Sequence, residues 1–175
     1  MTIIKKQILV TAMGAAALAL ANSANASAYF GVDLANSKYK VDTYSKDANG
    51  FRLYGGFQVN ETLSVEGAWI DQGEAEESYT DNWGSGKETV SVGGLQVSVI
   101  GAMPVNDSMN VFGRLGLYKW DASYKDVYNG ATWWSDDDDG SDLFYGIGLN
   151  YAISDTMSLR AEYDLISIEP FDVDG

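Results

Sequence analysis

Val59-Asn60-Glu61-Thr62-Leu63-Ser64-Val65-Glu66-Gly67, Val105-Asn106-Asp107-Ser108-Met109-Asn110-Val111-Phe112-Gly113 and Ile153-Ser154-Asp155-Thr156-Met157-Ser158-Leu159-Arg160-Ala161 are three versions of one phrase. Each is a tight polar turn that launches an alternating strand. Asn60 and Asn106 are 46 residues apart, and Asn106 and Ser154 are 48 apart, so the unit recurs almost evenly. Strand-like sequence flanks every copy, and long polar stretches separate the copies. Short-turned hairpins joined at their other ends by long connections describe an antiparallel up-and-down β-barrel.

The alternation supplies the faces. Phe51, Leu53, Gly55, Phe57 and Val59 share one parity, continued across the turn by Leu63, Val65, Gly67 and Trp69. Arg52, Tyr54, Gln58, Ser64 and Glu66 share the other. Successive side chains of a strand point to opposite faces, so one face is apolar and the other polar. The last hairpin repeats the pattern: Tyr145, Ile147, Leu149 and Tyr151 come into register with Leu159, Ala161, Tyr163 and Leu165, opposite Asn150, Arg160, Glu162 and Asp164. Seven strands follow, at roughly 29–38, 50–59, 63–72, 89–103, 109–120, 141–153 and 157–168. Turns are expected at 60–62, 104–108 (holding Pro104) and 154–156, and long acidic loops at about 39–49, 71–88 and 121–140.

Alternation alone fits a soluble barrel with an apolar interior or a membrane barrel with an apolar exterior. Charges at mid-strand on the polar parity decide for the membrane. Arg52, Glu66, Arg114, Arg160, Glu162 and Asp164 suit a packed lumen in which ionised groups pair, since buried charge must be compensated. On the apolar parity, Phe30, Phe57 and Tyr151 fall toward the short turns, and Trp69 and Tyr145 toward the long loops. Two belts of amphipathic rings mark two lipid interfaces.

The first 28 residues read differently. Lys5 and Lys6 precede a mostly apolar run, Ile8 to Leu20, and then small residues that permit cleavage after Ala26 or Ala28. This is the pattern of a secretory signal peptide, and its apolar run is too short to span a bilayer. Its removal would take the formal charge from −14 to −16. So acidic a body excludes nucleic acid as a partner, because phosphates need Lys and Arg. The chain has no cysteine and no histidine. Without histidine there is no Ser–His or Cys–His nucleophile pair, and no enzyme activity or cofactor is expected. Asp136-Asp137-Asp138-Asp139-Gly140 fails the EF-hand spacing: with Gly140 sixth, position twelve is Gly146 rather than glutamate. It reads as a solvated acidic loop, one that divalent ions could bridge to anionic lipid. Trp133, Trp134, Tyr124 and Tyr128 in that loop are either contact residues or its internal packing. The glycines Gly55-Gly56, Gly93-Gly94, Gly146 and Gly148 lack the basic neighbour a phosphate cradle needs, and they relieve crowding in a small barrel.

Val111-Phe112-Gly113-Arg114-Leu115-Gly116, Tyr151-Ala152-Ile153-Ser154-Asp155 and Ser158-Leu159-Arg160-Ala161-Glu162-Tyr163 resemble the small outer-membrane β-barrel family that includes outer membrane protein A, the attachment/invasion-type barrels and the opacity proteins. The resemblance implies an eight-stranded transmembrane barrel in the bacterial outer membrane, assembled by the barrel-assembly machinery and in contact with lipopolysaccharide. Family members usually finish on a strand with a terminal aromatic residue, whereas this chain stops at Asp172-Val173-Asp174-Gly175, which reads as a loop. Seven strands are one short of an even number. The expectation is therefore a barrel domain over 29–175 whose eighth strand is missing, a fragment lacking about ten to fifteen C-terminal residues. Its function is expected to be structural and surface-interacting, through long acidic loops whose ligand is unknown. The alternatives are a narrow or gated porin-like ion channel, an enzyme, and a soluble ligand carrier.

Overall fold

A computed structural model describes residues 6–20, 28–41, 44–80 and 83–168. Eight antiparallel strands form one sheet: β1 (Lys6–Leu20), β2 (Ala28–Val41), β3 (Tyr44–Gln58), β4 (Leu63–Thr80), β5 (Ser85–Asn106), β6 (Met109–Tyr128), β7 (Ala131–Ala152) and β8 (Met157–Ile168). Each pairs with its sequence neighbours, and β1 pairs with β8, which closes the barrel.

The expectation of seven strands with the eighth missing is corrected here. Lys6–Leu20, read above as part of a signal segment, fills the gap between β2 and β8. The physical reason is edge pairing. A seven-stranded sheet leaves two rows of unpaired backbone groups, each costing several kcal/mol in hydrocarbon, and this segment supplies the amides and carbonyls both edges need. The chain end at Asp172–Gly175 lies outside the described residues.

A second correction concerns the long loops. Residues assigned to loops at 71–88 and 121–140 are largely strand, because the ladders continue through them: Ala122, Tyr124 and Asp126 have partners on both β5 and β7. Crossing a bilayer takes about 9–11 residues, whereas β5, β6 and β7 have 22, 20 and 22. About half of each therefore stands beyond the lipid, where β4 to β7 keep pairing as a protruding four-stranded sheet. Its tips are tight: Asn129 (φ 49°) and Gly130 (φ 79°) take the left-handed backbone that a two-residue hairpin turn requires. Pro104 is also displaced from its expected turn. It lies in β5 opposite Asn110, beside a register irregularity, where a strand tolerates a missing amide.

The registers of the second and last hairpins match the sequence reading. Leu53 pairs with Trp69 and Phe57 with Val65, and Tyr145, Ile147, Leu149 and Tyr151 pair with Leu165, Tyr163, Ala161 and Leu159. The faces follow. Leu53, Val65, Leu115, Ile147 and Leu159 point outward and exposed, while Arg52 is 1% and Arg114 4% exposed inside. Lumen glycines seat the rings of neighbouring strands: a Cβ at Gly116 would overlap Phe144, and one at Gly148 would overlap Phe112.

Leu115 is 58% exposed on the outer face, one residue from the buried Arg114. L115R places a charge in hydrocarbon and is expected to lower unfolding free energy in lipid vesicles by about 2–4 kcal/mol, read by urea titration. Unchanged stability would place that face in water.

Candidate functional site

The lumen is built in layers. Asp33 on β2, Arg52 on β3, Glu66 on β4, Arg114 on β6 and Arg160, Glu162 and Asp164 on β8 meet in one buried charged layer. Arg52 is its hub. Its Nε donates to Asp33 Oδ2 at 3.0 Å, its guanidinium also pairs with Glu162, and Glu66 and Asp164 lie at 3.9 and 3.7 Å. Arg114 donates to Glu162 Oε1 at 2.9 Å and to Ser98 Oγ at 3.1 Å. Arg160 donates to Glu66 Oε2 at 2.7 Å and to Asn150 Oδ1 at 3.2 Å. Rings share the load: the Arg160 guanidinium lies 4.4 Å from the Tyr54 centroid, and that of Arg114 lies 4.9 Å from that of Phe144.

All six residues named from the sequence as a lumen network thus meet in one layer. Asp33 was missed, although Phe30, Val32 and Leu34 on the opposite parity already placed it inward. Also missed was an apolar layer toward the protruding arms, made of Ile70, Val92, Tyr118, Trp120, Phe144 and Ile166. These residues lie on the parity read as polar, and a few apolar side chains there leave no mark on the alternation. Gln72, within that layer, donates to the Tyr118 hydroxyl at 3.1 Å.

The charged layer holds three arginines and four carboxylates. Four carboxylate oxygens lack hydrogen-bond partners: Asp33 Oδ1, Glu66 Oε1, Glu162 Oε2 and Asp164 Oδ1. Three of the four residues, Asp33, Glu162 and Asp164, sit on the strands flanking β1, whose register positions beside them are Gly14, Ala12 and Val10. None of those residue types carries a side-chain donor.

The five aromatics assigned to lipid interfaces, Phe30, Phe57, Trp69, Tyr145 and Tyr151, are all exposed on the outer face. Near Trp69, where β4 is irregular between Asp71 and Glu74, a cleft of about 880 Å³ opens, with Lys119, Asp121 and Asp139 in its wall. The Asp136–Asp139 run lies on β7 rather than in a loop, paired with Tyr124, Ser123, Ala122 and Asp121. No group of side chains suited to a metal ion occurs among the described residues.

Removing Arg52 alone leaves its carboxylates buried with one counter-charge fewer. R52M is expected to lose about 3–5 kcal/mol of stability. R52M/D33N should recover part of that loss, and a double variant no more stable than R52M would contradict the pairing.

Comparison with known proteins agrees with the fold. The outer membrane protein β-barrel domain family matches residues 8–175. Outer membrane protein A of Salmonella typhi is 28% identical over 114 residues, which is 65% of this chain but only 31% of that protein, so the match spans about a third of the relative. Among solved structures, Ail, the attachment invasion locus protein of Yersinia pestis, is similar in two crystal structures. One is in complex with the heparin analogue sucrose octasulfate (TM-score 0.47, 13% identity, 94% of this chain and 97% of that one). The other has a TM-score of 0.45 and 15% identity, over 95% and 98% of the two chains. The chain belongs to the outer membrane protein β-barrel domain family, and its place is the bacterial outer membrane.

Proposed function

We propose that this barrel is a non-catalytic structural and surface-interaction protein, with a plugged lumen and contact made by its acidic arms. The observation that carries the reading is the protruding sheet. Strands continue well past the length needed to cross lipid, and their tips hold Trp83 at 87% and Trp133 at 78% exposure. Exposed tryptophan at the end of a paired, water-satisfied sheet suits a contact surface. One charged and one apolar layer of buried side chains lie across the lumen, and the interior of an eight-stranded barrel is just wide enough for side chains to fill, which supports the plugged reading over the channel alternative. The absence of histidine from the sequence supports a role without acid–base catalysis.

On this reading the arms face outward and the short turns face the periplasm. Outward carboxylates such as Asp121 and Asp139 meet lipopolysaccharide through divalent ions, the lumen network of Arg52, Glu66, Arg114, Arg160, Glu162 and Asp164 is a structural plug, and the barrel-assembly machinery inserts the chain. Residues 1–28 also carry the pattern of an export signal, and cleavage after Ala26 or Ala28 would remove β1 and reopen the seam between β2 and β8.

Because the sequence has no cysteine, single introduced thiols report sidedness cleanly. A membrane-impermeant maleimide is expected to label W133C on intact cells and D155C only after lysis. The mass of the recovered chain reports whether Lys6–Leu20 is retained. Labelling of D155C alone on intact cells would overturn the surface role of the arms.

A further inference from the structure

The protruding sheet has two faces of different chemistry. The face continuing the lumen parity carries four rings, Tyr79, Tyr124, Tyr128 and Trp134. Tyr79 stacks on Tyr128 at 6.3 Å between centroids, and Tyr124 meets Trp134 at 5.5 Å. On the same parity stand Glu88, Asp126, Asp136 and Asp138. The arm lysines Lys87, Lys119 and Lys125 fall on the opposite parity, where Lys87 pairs with Glu76.

Register adds a cost. Glu88 lies directly opposite Glu77 on one side and Asp126 on the other, and like charges facing each other across strands are destabilising. The Tyr79 hydroxyl donates to Asp126 Oδ1 at 3.0 Å. Partial burial and that carboxylate hold the hydroxyl neutral, its pKa pushed up to about 12. Burial and Glu88 likewise raise that of Tyr124. The inner face is thus a field of negative potential set among aromatic rings.

The lumen of the same protein shows what this combination holds. Arg160 sits against the Tyr54 ring and pairs with Glu66, and Arg114 sits against Phe144 and pairs with Glu162. The arms present ring and carboxylate together, and among the described residues no arginine shares their face. We infer that the inner face of the β4–β7 arms is a docking surface for an extended arginine-rich segment of a partner protein, whose guanidinium groups stack on the rings and pair with Glu88, Asp126, Asp136 and Asp138. This rests on the surface-interaction reading above and gives it a ligand chemistry. A guanidinium is suited to both contacts at once, because its plane stacks while its edge donates.

The test uses the full chain refolded in zwitterionic micelles, with a fluorescent oligo-arginine peptide read by anisotropy at about 0.15 M salt. Two variants change the net charge equally on opposite faces: D126N/D136N/D138N inside and D121N/D137N/D139N outside. The native chain is expected to bind. The inner variant should weaken binding about tenfold or more and the outer variant less than about twofold, with both still folded by heat-shifted gel mobility. Equal weakening by the two variants would reduce the effect to bulk charge, and calcium binding in place of the peptide would make the occupant a metal. Either result overturns the inner-face site while leaving the surface role to the thiol-labelling test. Failure of the native chain to bind the peptide also overturns it.

Discussion

A backbone amide or carbonyl left unpaired in hydrocarbon costs several kcal/mol, and a strand crossing the bilayer carries about ten of each. That constraint orders everything else in this barrel. It demands closure, so every strand has two partners and β1 is drawn into the seam between β2 and β8. It turns the usual protein inside out, because side chains of the outer parity must then dissolve in lipid. It also forces the inner parity to pack a narrow space, where glycine, aromatic rings and compensated charges are the residues that fit.

The lumen shows how a charged interior is made tolerable. Every arginine there has more than one partner: Arg52 reaches Asp33 and Glu162, Arg114 reaches Glu162 and Ser98, and Arg160 reaches Glu66 and Asn150. Such sharing offsets desolvation that a single contact leaves uncompensated. Of the four carboxylates that keep one oxygen without a hydrogen bond, Asp33, Glu162 and Asp164 border β1 and Glu66 stands on β4. Above the layer, Tyr118, Phe144 and Ile166 belong to a buried, mostly apolar layer between the charges and the arms.

Much of this was legible in the residues. Strand registers at Leu53–Trp69 and Tyr145–Leu165 followed from parity and turn position, since a one-residue slip would flip every side chain to the wrong face. The charged layer was legible because ionised residues at mid-strand have one place to go. The long arms were not. Ser, Asp and Tyr at 121–140 carry the composition of a loop, and what makes them strand is partnership with residues distant in sequence. The role of Lys6–Leu20 in the sheet was equally hidden, because small apolar residues serve a signal segment and a barrel seam alike. Ile70, Tyr118 and Phe144 were hidden in turn by a rule that equates the inner parity with polarity.

The central claim is the inside-out face assignment, and a nitroxide scanned residue by residue along β6 from 111 to 121 tests it most directly. Collision with lipid-dissolved oxygen should alternate with a period of two, high at 111, 113, 115 and 117 and low at 112, 114, 116 and 118, with an aqueous nickel quencher gaining access only toward 121. A maximum of oxygen access at the even positions, or nickel access at 115 equal to that at 121, would contradict the account.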